Sequence, residues 1–202
     1  MRLIILIAGL IGLSSHPAFV AGQGTNIQNT IGVVTLADNG PEPDSVRLYD
    51  VNGKVWHVFT FFDNDTRPSP TDFSPLGFKP DYYLFQLAAT RRTRDGWDVI
   101  VNQETGLTKH LRNAPFLKLI SWEQYVLSAF AVEFDSIQNP IRIQPRDAAS
   151  VMIRNRQPRY VPAAIEGDWL RVTWGENPGE GGTGWIRWRS GARIVIEVFY
   201  LD

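Results

Sequence analysis

The chain has 202 residues, 44% of them hydrophobic and 12% aromatic, with a formal net charge of −1. That supplies enough apolar surface for the core of one domain or two small ones, and the charge balance speaks against the basic footprint of a nucleic-acid binder, so no nucleic-acid partner is expected. Cysteine is absent, which excludes disulfide staples, a thiolate nucleophile and a lipid-modified cysteine, and leaves stability to the core.

Met1-Arg2, the apolar run from Leu3 to Leu13, the break at Ser14 to Pro17 and the small residues Val20-Ala21-Gly22 read together as a secretory signal peptide over residues 1–22, cut before Gln23. The run is shorter than the about 20 apolar residues of a membrane span. The mature chain is therefore expected to be secreted or periplasmic with no membrane span, an uncleaved N-terminal anchor being the alternative. Export without disulfides fits a bacterial envelope best. Residues 23–44 are polar and broken by Gly24, Gly40, Pro41 and Pro43. They read as a loose leader or linker with one short strand from Ile31 to Leu36.

Ser45 to Tyr49 and Lys54 to Phe62 are β-type runs around Asn52-Gly53, which reads as a two-residue hairpin turn because both positions tolerate positive φ. Asp63 to Pro80 is a Pro-rich and Asp-rich loop in which Pro68, Pro70, Pro75 and Pro80 disfavour regular structure. A strand from Asp81 to Ala89 and the charged turn Arg91-Arg92-Thr93-Arg94-Asp95 lead into Gly96-Trp97. Ser121 to Phe134 carries the best helical pattern, with Trp122, Tyr125, Val126, Ala129 and Phe130 on one face, and Ser121 with Gln124 forming a capping box. Short strands follow at Ile141 to Gln144 and Val151 to Ile153, and an alternating strand from Ala192 to Leu201 closes the chain.

One pattern occurs twice. Gly96-Trp97-Asp98-Val99-Ile100-Val101 precedes Thr105-Gly106-Leu107, and Gly167-Asp168-Trp169-Leu170-Arg171-Val172 precedes Thr183-Gly184-Trp185-Ile186. With the opening run Ile141-Arg142-Ile143 and the Pro145 turn, the second copy resembles a bacterial SH3-like domain, and Thr-Gly-Trp-Ile is the most specific piece. The first copy, with Val46-Arg47-Leu48-Tyr49, resembles it more weakly and has Leu107 where the family usually has Trp.

The resemblance implies a mainly β chain of two small SH3-like barrels joined by one helix. The first module would span 45–118 with a Pro-rich insertion, the helix 119–138 and the second module 139–202. It also implies an envelope binding protein without an enzyme of its own, taking cell-wall peptide or glycan or an envelope protein partner. No cofactor and no metal are expected.

The residues themselves offer little chemistry. His57 and His110 are isolated and no Gly-x-Ser-x-Gly elbow is present. Asp63-x-Asp65 opens like a calcium loop, but Pro68 and Ser74 stand where Gly and Glu are needed. Glu123, Glu133, Asp135, Glu166 and Asp168 show no spacing that pairs them for glycan hydrolysis. Aromatic residues are the better binding candidates. Trp185 and Trp188, three apart on a strand, face opposite sides. By their place in the motif Trp169 and Trp185 are expected in the core, which leaves Trp174 and Trp188 as exposed platforms, with Arg187, Arg189 and Tyr160 beside them as ligand-binding residues. The competing reading buries these aromatic faces between modules or in an oligomer.

Overall fold

The computed structural model describes residues 24–38, 40–61, 69–152, 159–175 and 181–200. The signal peptide read over 1–22 and the Asp63-x-Asp65 start lie outside the described residues. The N-terminal half forms one antiparallel sheet of β1 (Gly32–Leu36), β2 (Ser45–Tyr49), β3 (Val55–Thr60), β4 (Gly77–Lys79), β5 (Leu84–Arg92), β6 (Gly96–Asn102), β7 (Leu107–Arg112) and β8 (Leu117–Ile120). The spatial order is β3-β2-β7-β6-β5-β1-β8, with β4 added against β5.

The C-terminal half is built from smaller pieces. Helix α1 (Trp122–Leu127) is followed by β9 (Ala131–Glu133), β10 (Val161–Glu166), β11 (Trp169–Trp174), β12 (Gly182–Arg187), β13 (Arg189–Ser190), β14 (Arg193–Ile194) and β15 (Glu197–Phe199). β10-β11-β12 make a three-stranded sheet, and β13-β14 and β9-β15 are two-stranded. The chain is mainly β, as its aromatic and β-branched content predicts. Among the described residues no sheet closes into a barrel.

Local turn chemistry explains the hairpins. At Asp50 to Lys54 the carbonyl of Asp50 accepts from the N–H of Gly53 at 2.9 Å, Asp50 N–H donates to the carbonyl of Lys54, and Gly53 takes φ +76°. This is a three-residue loop with a glycine bulge, and Asn52 does not need a positive φ. Its side chain instead accepts from the N–H of Lys54. α1 carries the expected capping box: Ser121 Oγ accepts from Gln124 N–H, and Gln124 Oε1 accepts from Ser121 N–H.

Strand alternation sends successive residues of the large sheet to opposite faces. Val34, Leu48, Phe85, Leu87, Val99 and Leu111 bury on one face, beneath an aromatic cluster in which Phe59 contacts Phe73 and Phe78 at ring distances of 4.4 and 5.1 Å. Val33 and Ala88 bury on the other face, in a core they share with Trp122 and Val126 of α1 and with Leu170, Val172, Ile186 and Trp188 of the C-terminal strands. Each fully buried side chain of this size contributes about 1.5–3 kcal/mol.

Four expectations change on this frame. The leader holds an inner strand, because β1 is paired with β5 and β8 on its two sides. Residues before it are bonded too: Ile27 N–H donates to Ala192 O, Ile194 N–H donates to Thr25 O, and Trp122 Nε1 donates to Thr30 Oγ1 at 2.9 Å. The Pro-rich loop contributes β4, and its Phe73 and Phe78 enter the aromatic cluster. The linking helix is only six residues long, because Phe130 N–H is claimed by Phe199 O at 2.7 Å and β9 pairs with β15. The closing strand is broken into β14 and β15, although Ile194 and Ile196 still bury.

Candidate functional site

The β11–β12 hairpin settles where the tryptophans point. The inner parity is Leu170, Val172 and Trp174 on β11, with Gly184 and Ile186 on β12 and then Trp188, and all of these are buried. Trp188 is 0% exposed and Trp174 7%. Trp188 Nε1 also donates to the carbonyl of Gly167 at 3.0 Å, which satisfies the indole N–H inside the core. The outer parity is Trp169, Arg171, Trp185 and Arg187, where the guanidiniums of Arg187 and Arg171 lie over the rings of Trp169 and Trp185 at 4.7 and 5.9 Å. Trp174 and Trp188 are therefore core residues and not exposed platforms. Trp185, expected inside, is half-exposed on the outer face. The neighbouring Ile186, two residues from Trp188, was the signal that assigns the faces.

Tyr160 is half-buried, bridged to Val132 and packed between Phe134 and Trp174 at ring distances of 4.9 and 5.8 Å. The two expected ligand arginines already have internal partners. Arg187 makes a two-pronged contact with Asp147 (Nε to Oδ1 3.2 Å, Nη2 to Oδ2 2.5 Å) and lies 3.8 Å from Asp168. The hydrogen bond from Arg187 holds the Asp147 carboxyl below its usual range. Arg189 donates to Asp168 at 2.8 Å and approaches Glu123 of α1 at 3.7 Å. Asp168 thus takes two guanidiniums, and the network ties the β10–β11 turn to the end of β12 and to the helix. These arginines orient the fold first, and their remaining donors are what a ligand could use.

Of the five expected ligand residues, only Arg187 lines the larger hollow. This open cleft of about 620 Å³ lies between the N-terminal sheet and the C-terminal strands. Its apolar floor includes Leu76, Tyr125, Ile196 and Val198, and its polar wall includes Gln103, Asn139 and Ser190. Asn139 is fixed by a reciprocal pair of hydrogen bonds with the Arg187 backbone at 2.7 and 2.8 Å. Asp135 is turned into its own loop, accepting from the N–H groups of Ile137 and Gln138. Gln103, on the β6–β7 turn, holds an Nε2 that is buried and has no hydrogen-bond acceptor among the described residues. The sequence missed this residue because its role comes from the cleft and not from any motif.

A second hollow of about 600 Å³ lies against the edge of β1 and β8. Gln86, 4% exposed, forms part of it. The Gln86 Oε1 has no partner and fits against Gly77, where an added Cβ would stand 2.5 Å away. Burial pushes the phenol of Tyr125 up to about 12, and burial together with Tyr125 pushes that of Tyr200 higher still. The Tyr200 hydroxyl donates to the Tyr125 carbonyl. Both phenols stay neutral and act as hydrogen-bonding groups.

Neither His57 nor His110 lines either of these two hollows. His57 packs on Phe59 at 4.5 Å. His110 on β7 stands between Asp98 and Asp95, 3.2 Å from each. Burial raises the Asp98 carboxyl, but hydrogen bonds from Arg91 and His110 outweigh it and leave its pKa below the ordinary value. A depressed folded-state pKa gives stability that is present above the unfolded value of about 3.9 and is lost as pH falls through the folded one. Asp98→Asn is therefore expected to be less stable than the parent at neutral pH, with the gap closing as the pH falls below about 4. Urea denaturation at pH 7 and pH 3 checks this; a gap of equal size at both would show that the ionised carboxylate does not matter.

Among the described residues no group of three or more His, Asp or Glu is placed to hold a metal ion, and no helix is long and apolar enough to cross a membrane. No family model, curated protein or solved structure matches the chain.

Proposed function

We propose that the chain is an exported binding protein without catalytic activity of its own, which takes an envelope component in the cleft between its two halves. The ligand class is a peptide, either a cell-wall stem peptide or a segment of a protein partner. The single observation that carries this reading is the unpartnered Gln103 Nε2 on the cleft wall. Buried donors in native structures almost always have an acceptor, and an unpartnered one in the lining of a cleft is suited to a ligand carbonyl or carboxylate once its side chain turns outward. The apolar floor beside a few polar groups is the usual make-up of such a site. Export rests on the N-terminal sequence pattern. The kinship of the C-terminal sheet with SH3-like domains rests on Thr183-Gly184-Trp185-Ile186 and is supported by the bridges of Arg142 to Val151 and Trp185, which add the 141–151 segment to β12.

The test is NMR titration of the mature protein with stem peptide released from purified cell wall. Shifts confined to Gln103, Asn139 and Val198 are expected, and Gln103→Met should weaken binding about tenfold, the cost of one lost hydrogen bond to a charged group. Shifts scattered away from the cleft, or undiminished affinity in Gln103→Met, would reject the site. If stem peptide does not bind, a pull-down from envelope extract that depends on Gln103 selects the protein partner.

A further inference from the structure

The charged turn between β5 and β6 belongs to no part of the cleft. Cross-strand pairing brings it together with two other strands. Arg91 pairs with Asp98, Asp98 with His110, and His110 with Tyr49, so these residues form one row across β5, β6, β7 and β2. Arg112 and Arg47 lie one step beyond His110 and Tyr49. Leu48 and Leu111 bury inward, so Arg47 and Arg112 point outward, and both are exposed. Arg94 is also exposed, on the turn of the same hairpin, whereas Arg92, paired with the buried Trp97, lies on the opposite face of the sheet. Neighbouring strands stand about 4.8 Å apart, so the cations spread over three such spacings, roughly 15 Å. In a chain of net charge −1, four arginines gather on this side of the sheet beside Asp95 and Asp98.

Two of the four are held in place. Arg91 donates to Asp98 through Nε and Nη2 at 3.0 and 2.5 Å, and the Arg112 guanidinium lies 4.1 Å from the centre of the Tyr49 ring. Arg47 and Arg94 make no ion pair among the described residues. α1 and the C-terminal strands cover the sheet at Val33 and Ala88, and leave this end open.

We infer that this face of β2, β7 and the β5–β6 hairpin binds a linear acidic polysaccharide, with guanidiniums meeting its successive carboxylates. Arginine presents a planar fork that matches a carboxylate with two parallel hydrogen bonds. A row of such forks on rigid strands suits a repeating polyanion better than a single small ion. Nucleic acid fits less well, because single strands need open aromatic faces for base stacking, and the Tyr49 ring is already covered by Arg112. The inference is independent of the cleft.

The probe is an oligogalacturonate of defined length, with oligo-dT of equal charge and anionic phospholipid vesicles as comparison arms, titrated against the mature protein at several salt concentrations. The triple variant Arg47→Gln/Arg94→Gln/Arg112→Gln is expected to bind oligogalacturonate at least tenfold more weakly than the parent, with a shallower dependence of log Kd on log salt, by about three. A control that removes three distant exposed cations, Lys79→Gln/Arg146→Gln/Arg171→Gln, should stay within twofold. Circular dichroism melts must show that both variants fold, and the single variant Arg94→Gln, on a turn, serves if the triple does not. Absence of oligogalacturonate binding, equal losses in the face variant and the control, or tighter binding to oligo-dT or vesicles would each overturn the inference.

Discussion

Trp188→Ala is expected to destabilise the fold by about 4 kcal/mol, with the melting temperature falling by roughly 10 °C. The side chain is 0% exposed and stands in the core that joins β1 and β5 to the C-terminal strands. Truncation removes the largest fully buried side chain of the described residues. It also leaves the Gly167 carbonyl without the indole donor that meets it at 3.0 Å. The cavity term is large because the neighbours, Ile186, Leu170 and Ile194, belong to three different strands and cannot all move inward together. Trp185→Ala, three residues earlier and on the outer face, should cost only about 1 kcal/mol, since its ring is half-exposed and rests beneath Arg171. Urea melts followed by far-ultraviolet circular dichroism give both values. Equal costs at the two positions would mean that the inward and outward faces of β12 have been assigned wrongly.

That pair also shows what the sequence could tell. Alternation dictated that Trp185 and Trp188 point apart, but choosing the inner one by its place in a family motif inverted the faces. The parity of Gly184, Ile186 and Trp188 gives the answer without any motif. Local chemistry was readable in the same way. The Ser121–Gln124 capping box involves residues within a few positions of one another and is written in a short word of sequence, whereas Asn52-Gly53 marked the place of the hairpin but not its length, since the loop has three residues and only Gly53 takes a positive φ. The length of α1 was not readable, because Ala129 and Phe130 continue the helical spacing while the partner that ends the helix, Phe199, lies far along the chain. Long-range pairing of this kind overrides local propensity. The same holds for β1, whose place between β5 and β8 nothing in its own five residues announces. The cleft was invisible for a further reason: Gln103, Asn139 and Ser190 come from separate turns, and only the packing of the two halves assembles them.

The repeated Gly-Trp and Thr-Gly words carry a second large effect, because their glycines exchange roles between the copies. Gly96 is a packing glycine: a Cβ there would lie 2.0 Å from the Leu111 carbonyl oxygen, 2.8 Å from Arg112 Cα and 2.9 Å from Asn113 N, all backbone atoms. Gly167 faces open space but holds φ +57° at the first position of a two-residue turn. In the Thr-Gly words the assignment reverses. Gly106 sits in a turn at φ +71° with open space around it, whereas a Cβ on Gly184 would meet Ile141 Cγ2 at 2.3 Å inside β12. Gly96→Ala is therefore expected to cost about 3 kcal/mol or more, because the end of β7 must move and the Asn113 to Asp95 hydrogen bond of 2.7 Å moves with it. Gly167→Ala should cost about 1–2 kcal/mol, the penalty for a side chain in the left-handed region. Asparagine separates the two causes, since it tolerates that region but still carries a Cβ. Gly167→Asn should recover much of the loss, and Gly96→Asn should be at least as damaging as Gly96→Ala. Denaturation midpoints of the four variants measure this. Recovery by asparagine at both positions would make the glycines equivalent and the two words a true structural repeat. Recovery at Gly167 alone would mean that the similar words close two different kinds of hairpin, one fixed by backbone conformation and the other by how closely β7 approaches β6.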